Sequence, residues 1–267
     1  MPRESSASVR SVQLAIDVLE TVAFSEEELG VTQIGERLRL AKGSVHRHLQ
    51  TLTERGYLSQ NPATSRYAIG PKSRLLSRLA PEADLVRLAE GPMRELRDKV
   101  GHTVVLSERT PRGALVVSKL SGMSAIEIGV RSGSELPFHA SAQGKVMLAF
   151  SPRPFQNRVL SKALQSYTHR TLTSTTALER QLALIAKEGY ASAPEEAMLG
   201  INAVSAPVFD NRDECVAALA IVGSIQFLPE RPKRTDLLAL TAAADQVSQK
   251  LGHGRHLVSH SERRKGR

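Results

Sequence analysis

An α+β architecture in two parts is what this 267-residue sequence predicts, and three observations predict it. Residues 31–58 read as two short amphipathic helices around a tight turn, followed by an extended segment. Residues 57–69 read as strand, turn and strand, with Asn61-Pro62 at the turn. Beyond them strands come first, then helices, strands again and a terminal helix, the order of an α+β domain whose sheet is mainly antiparallel.

The first helix is expected over residues 8–24, where Val12, Ala15, Ile16, Leu19 and Val22 form an apolar stripe directed at the two helices that follow. Val31, Ile34 and Leu38 share a face of the second, expected over 31–39. After Arg39-Leu40-Ala41, the third (42–55) buries Val45, Leu49 and Leu52. At about 100° per residue its far side shows Gly43, Ser44, Arg47, Gln50 and Thr51, with Lys42 at its start and no acid before Glu54. Such a face suits a DNA major groove, where cations meet phosphates and short polar groups meet base edges. Gly56 stops the helix. Two such helices alone also suit a plain helical bundle. The hairpin of Tyr57, Leu58, Tyr67 and Ile69 adds a wing, with Arg66 placed to meet the phosphate backbone. The pattern is a winged helix-turn-helix over residues 1–71.

A linker helix is expected over 72–81, ending at Ala80-Pro81; its Leu75, Leu76 and Leu79 need a partner, such as another subunit. The second domain, 82–251, opens with a helix to residue 100 whose Leu85, Leu88, Ala89, Met93 and Leu96 share a face, with Gly91-Pro92 as a kink point. Strands are expected over 103–108, 114–120 and 126–130, and helices over 141–150, 152–164 and 175–189, the last closed by Gly189. Strands at 203–209 and 215–222 flank the turn Asp210-Asn211-Arg212-Asp213, before a helix over 234–251.

The net charge of +9 is unevenly spread. Residues 1–80 carry 11 Lys/Arg against 8 Asp/Glu, residues 81–251 carry 20 against 18, and residues 252–267 carry 5 against 1. The basic balance thus owes most to the tail 252–267, which reads as disordered, and the polar face of the third helix carries the DNA-binding argument alone. No run of 18 apolar residues exists, so a membrane partner is not expected. The first ten residues lack an apolar stretch, so no secretory signal is expected. The single cysteine, Cys215, fits a reducing, cytoplasmic setting; within its apolar run it reads as a buried, inert thiol.

In the second domain, residues 133–145 hold the densest cluster of unusual residues. Ser141 is a plausible N-cap, leaving the N–H groups of Ala142, Gln143 and Gly144 in an open first turn that suits a carboxylate. The small Ala140, Ala142 and Gly144 leave space for a ligand. A capped helix with nothing bound is the alternative. No catalytic residue, metal site or cofactor is expected. His139 and Ser141 lack a Gly-x-Ser-x-Gly elbow and a fixed acid, the histidines lack zinc spacing, and Glu195-Glu196 diverge more readily than they converge. Phosphate-binding glycine fingerprints are absent.

Read together, these residues resemble the IclR family of bacterial transcriptional regulators over nearly the whole chain. The resemblance rests on residues 15–19, 40–47 and 52–58, and, in the second domain, on 136–145, 206–210 and 217–223. It implies a GAF-like effector domain, and homodimers or homotetramers on a double-stranded DNA operator. It also implies a repressor or activator, often of a catabolic operon, that responds to a small organic acid. On this pattern Lys42, Ser44, His46, Arg47 and Gln50 face the groove, and Arg66 lies on the wing. The family usually has serine where Gly43 stands and leucine where His48 stands, changes that alter the sequence read.

The resemblance also implies an effector pocket between residues 136–144 and the sheet, touched by Leu136, His139, Ser141, Ala142, Gln143, Gly144 and Met147. Positions matching Ala193, Ala203, Ala220 and Val222 often carry Asp, Cys or Ser in members that bind very small acids, and here all four are apolar. A compact keto acid would lack hydrogen-bond partners there, so an aromatic or alkyl carboxylate is expected, held by the amides of Ala142 and Gln143. Two other readings stand beside this one: a DNA-binding protein whose second domain only oligomerises, and an enzyme of small-acid metabolism.

Overall fold

The computed structural model describes residues 9–79, 85–124 and 128–254. The chain divides into two compact units, with the break between Ala83 and Asp84. The expected start of the first helix at Ser8, the Ala80-Pro81 boundary and the tail from residue 255 lie outside the described residues.

In the first unit, helices α1 (Arg10–Ala23), α2 (Val31–Leu38) and α3 (Lys42–Glu54) precede strands β1 (Leu58–Gln60) and β2 (Tyr67–Ile69) and helix α4 (Pro71–Leu79). Val18, Val22, Leu29, Ile34, Val45, Leu49, Leu58 and Tyr67 are its buried core. The stripe expected on α1 needs correcting. Val18 and Val22 point inward with Leu19 beside them, whereas Val12 and Ile16 are exposed. The helix carries apolar residues on two faces, and periodicity alone could not say which one the neighbouring helices cover.

Glycines set the close approaches here. A Cβ on Gly35 would lie 3.0 Å from the Leu40 carbonyl oxygen, so α2 can turn tightly into α3. Arg39 takes a left-handed conformation (φ 54°) to make that turn. Gly56 (φ 77°) ends α3 in a Schellman arrangement: its N–H reaches the Thr53 carbonyl at 2.9 Å, and the Tyr57 N–H reaches the Leu52 carbonyl at 2.8 Å. β1 and β2 pair antiparallel, with Ser59 opposite Ala68, and α4 docks on this hairpin through the Ser73 hydroxyl, which donates to the Tyr57 carbonyl at 2.9 Å.

The second unit contains α5 (Leu85–Val100), β3 (Thr103–Arg109), β4 (Ala114–Leu120), β5 (Glu135–Leu136), α6 (Ala142–Ala149), α7 (Arg153–Leu160) and α8 (Thr175–Glu188). They are followed by β6 (Ala191–Ser192), β7 (Ile201–Phe209), β8 (Cys215–Ser224) and α9 (Arg234–Lys250). One antiparallel sheet of order β5-β4-β3-β8-β7-β6 results. The central strands are buried on both faces, which explains the near-continuous apolar runs of β7 and β8. Val104, Leu106, Val204, Ala206, Val208, Leu219 and Ile221 face α5 and α9. The opposite face is covered by α6 and α8. α5 runs unbroken through Pro92.

Two expectations differ. The described part of the strand foreseen at 126–130, residues 128–130, has no regular structure; Ile128 and Val130 pack on the sheet face instead of extending its edge. The edge is taken by β5, which the sequence reading missed because two residues carry no periodicity. β6, equally short, was missed for the same reason.

Leu49→Ala is expected to lower the stability of the first unit by about 2–5 kcal/mol, because Leu49 is fully buried between the helices. Denaturant unfolding of the full chain, followed by a probe in the first unit, checks this.

Candidate nucleic-acid interface and effector site

Helix α3 presents its polar side outward. Lys42, Gly43, His46, Arg47, Gln50 and Thr51 are exposed, Ser44 and His48 are half-buried, and Val45 and Leu49 are buried behind them. No side chain caps the start of α3, so its first amides remain open to a phosphate. Around Gly43 there is open space, so no packing demand explains a glycine there. The Gln50 amide donates to Glu54 at 3.0 Å, and the Thr51 hydroxyl donates to the Arg47 carbonyl at 3.0 Å. On the hairpin Arg66 is exposed, with one guanidinium nitrogen donating to the Glu28 carbonyl at 3.2 Å. Glu28 also accepts from Asn61 and Thr64, so the loop before α2 braces the wing.

On the sheet face under α6 the structure brings together most residues expected of the effector site. Leu136, Ala142, Met147, Ala193 and Ala203 share one apolar cluster, and Leu136 and Ala203 also pack against a second, built on Val105, Val116 and Val222. Ala220 lies between them, paired with Val105 and Ser205. Ile128 and Val130, absent from the sequence reading, also pack on the second cluster.

The first turn of α6 differs from expectation in two ways. The Gly144 N–H is not open: the Ser141 hydroxyl oxygen accepts it at 3.0 Å, while that hydroxyl donates to the Pro137 carbonyl at 2.7 Å. Nor does Gly144 leave ligand space, since a Cβ there would lie 2.5 Å from the Pro137 oxygen and 2.6 Å from Phe138 Cα. The glycine is needed for that close approach. Ala142 and Gln143 retain first-turn amides, although both residues are buried. His139 turns toward the connection between α7 and α8, its Nε2 2.8 Å from the Gln165 carbonyl and its ring beside Tyr167.

The polar centre of this layer is one the sequence reading overlooked. Lys145 is fully buried on α6 and ion-paired with Glu196, itself buried in the connection between β6 and β7. Burial pushes the Lys145 ammonium below the ordinary lysine range, and the charge and hydrogen bond of Glu196 push back. The adjacent Glu195 turns away and accepts the Gly200 N–H at 2.9 Å, so the two carboxylates do diverge. Thr171 donates to the Glu196 carbonyl at 2.6 Å, holding this connection in place. Cys215 is buried, and its thiol is pushed up to about 12 by desolvation, which leaves it unreactive.

An open cleft of about 990 Å³ adjoins this face at the ends of β3 and β8, beside Lys99, His102, Lys233 and Asp236; Thr103 and Ile128 line it too, and of the expected effector residues only Val222 does. Burial holds the His102 pKa below the usual histidine range, against the pull of Asp236.

Two family models match: one for the IclR helix-turn-helix domain over residues 11–62, and one for the C-terminal domain of bacterial transcriptional regulator IclR over residues 78–249. The chain belongs to the IclR family. It is a DNA-binding transcriptional regulator and not an enzyme. Among similar proteins, the HTH-type transcriptional regulator KdgR of Escherichia coli is 30% identical over 249 residues, covering 92% of this chain and 94% of its own. XynR of the same organism is 32% identical over 217 residues, covering 80% and 85%. A solved IclR-type regulator from Alicyclobacillus acidocaldarius superposes with a TM-score of 0.73 at 27% identity, over 91% of this chain and 98% of that one. An IclR homologue from Microbacterium hydrocarbonoxydans complexed with 4-hydroxybenzoate reaches 0.75 at 24% identity, over 90% and 98%. No helix among the described residues is long and apolar enough to cross a membrane.

Removing one member of the buried pair should be costly. Lys145→Met leaves Glu196 as an uncompensated buried charge and is expected to destabilise the second unit by about 3–5 kcal/mol, whereas the double change with Glu196→Gln recovers most of that loss. A double-mutant cycle in urea measures both; equal destabilisation by the single and double variants would contradict the pairing.

Proposed function

We propose that this regulator reads its operator with Lys42, Gly43, Ser44, His46, Arg47, Gln50 and Thr51 of α3, with Arg66 on the wing, and that a small organic acid controls it from the second unit. The observation that carries the DNA reading is the exposed polar and basic side of α3 backed by buried Val45 and Leu49. Base edges are read by short side chains while Lys42, Arg47 and Arg66 neutralise phosphates. Repression of a catabolic operon suits a protein that blocks a promoter until a nutrient-derived acid arrives. Relatives include the transcriptional repressor IclR of Escherichia coli and the glycerol operon regulatory protein of Streptomyces griseus.

For the effector, the apolar surroundings of Leu136, Met147, Ala193, Ala203, Ala220 and Val222 favour an aromatic or alkyl carboxylate, its charge held by the amides of Ala142 and Gln143. The 4-hydroxybenzoate bound in the Microbacterium neighbour is an acid of this kind. A purely oligomerising second domain is the other reading, favoured by the half-buried Ile128 and Val130 packing where the ligand would lie. Gel shifts on the chain's own upstream DNA, with and without benzoate, hexanoate and pyruvate, separate the two. Benzoate or hexanoate changing operator affinity supports the effector reading; no response to any acid supports oligomerisation alone.

The acting species is a homodimer or homotetramer. Leu75, Leu76 and Leu79 on α4 and Val12 and Ile16 on α1 are exposed apolar residues within one unit, the kind of surface a second copy covers. Leu75→Lys with Leu76→Lys is expected to shift the protein toward monomer in sedimentation velocity and to weaken operator binding with it.

Arg47→Ala is expected to weaken operator binding by about 1–3 kcal/mol without lowering Tm, since Arg47 stands on the exposed side of α3. Lost thermal stability at unchanged affinity would place Arg47 in a structural role.

A further inference from the structure

The sheet face beneath α6 carries few polar side chains, and all but one have partners. Thr103 Oγ1 donates to the Ile128 carbonyl at 2.5 Å and accepts the Gly122 N–H at 3.2 Å. Ser205 Oγ donates to the Leu219 carbonyl at 3.0 Å. Arg109 donates to the Ser151 hydroxyl at 2.7 Å. Ser107, on the central strand β3, is fully buried, yet its Oγ has no hydrogen-bond partner among the described residues.

The register places this hydroxyl. Ser107 stands opposite Ala218 on β8 and opposite Val116 on β4, and directly paired residues point to the same face. Ala218 belongs to the apolar cluster with Ala142, Val146 and Met147 of α6, and Val116 to the cluster with Val105 and Val222. Ser107 therefore sits at the seam of the two clusters that flank the expected effector position. The β3–β4 register shifts between Leu106 and Ser107, so a bulge lies beside it. Bulges re-aim side chains and are over-represented beside functional sites.

A buried hydroxyl that satisfies nothing is uncommon in folded proteins, because a lost hydrogen bond is not returned by apolar neighbours. With Ala193, Ala203, Ala220 and Val222 all apolar, Ser107 carries the one unpartnered hydroxyl of this floor among the described residues. A hydroxyl both donates and accepts, and so matches a ligand hydroxyl.

We propose that Ser107 is a specificity-determining residue of the effector site: it reads a hydroxyl group on a carboxylic acid whose apolar body lies along the seam. This rests on the effector reading given above. The carboxylate sits at the first turn of α6, the body takes the place of the Ile128 and Val130 side chains against Val105 and Val222 while the Ile128 carbonyl keeps its bond from Thr103, and the distal hydroxyl meets Ser107 Oγ. An acid without the hydroxyl leaves Ser107 unpartnered in the complex.

Isothermal titration of the full chain with two matched pairs tests this: benzoate against 4-hydroxybenzoate, and hexanoate against 6-hydroxyhexanoate. In at least one pair the hydroxylated acid is expected to bind about tenfold more tightly than its parent. Ser107→Ala is expected to erase that preference while leaving the parent's affinity unchanged, with Tm of the free protein equal or higher. Parent acids that bind as tightly as hydroxylated ones overturn the role of Ser107 and leave the effector reading standing. A preference that survives Ser107→Ala, or a variant that weakens all acids equally as loss of a bound water would, overturns it as well. Failure of all four acids to bind overturns both.

Discussion

A lysine without solvent exposure, held against one buried carboxylate, sets the position of helix α6. Lys145 cannot leave Glu196 without stranding a charge in an apolar layer, so α6 and the β6–β7 connection are joined at a point where neither can slide. Around that point lie the features of the proposed effector site. Gly144 lets the chain before α6 pass within contact of its first turn, and Ser141 closes that turn by accepting the Gly144 amide. Two of the three amides expected to be open are thereby left for an anion. The ion pair contributes position more than net stability, since well-packed apolar residues of similar volume serve about as well energetically.

The DNA-reading unit is organised by a different constraint: backbone approach at glycine. Gly35 allows the α2–α3 turn, and Gly56 ends α3 in a left-handed residue that sends the chain into the hairpin. At Gly70 a Cβ would meet the Gly56 and Leu58 carbonyl oxygens at 2.4 and 2.7 Å, so α4 can begin directly beneath the wing. These contacts fix the angle between α3 and the hairpin, and hence how Arg47 and Arg66 are presented on the proposed DNA-reading face. Gly43 obeys no such constraint; open space surrounds it, and its smallness is available to the DNA.

Much of this was legible in the sequence, and the failures share a cause. Helix-period stripes on α2, α3 and α5 named the buried residues well, because each helix has a single apolar face. On α1 the stripe misled, since Val12 and Ile16 form a second apolar face that the unit leaves exposed. The segment at 126–130 reads as a strand because Ile126, Ile128 and Val130 alternate, yet alternation records only which side chains seek an apolar surface. Ile128 and Val130 find that surface by lying over the sheet.

By itself the sequence determined the family, the two-part α+β organisation and the polar face of α3. These are local properties, written in periodicity, turn residues and short motifs whose meaning does not depend on distant partners. Only the tertiary structure decided that Lys145 meets Glu196, that Gly144 is needed for close packing, that His139 turns aside, and that Ser107 is buried without a partner among the described residues. Each of these joins residues from separate elements, and no spacing along the chain records which faces meet once the sheet is covered on both sides.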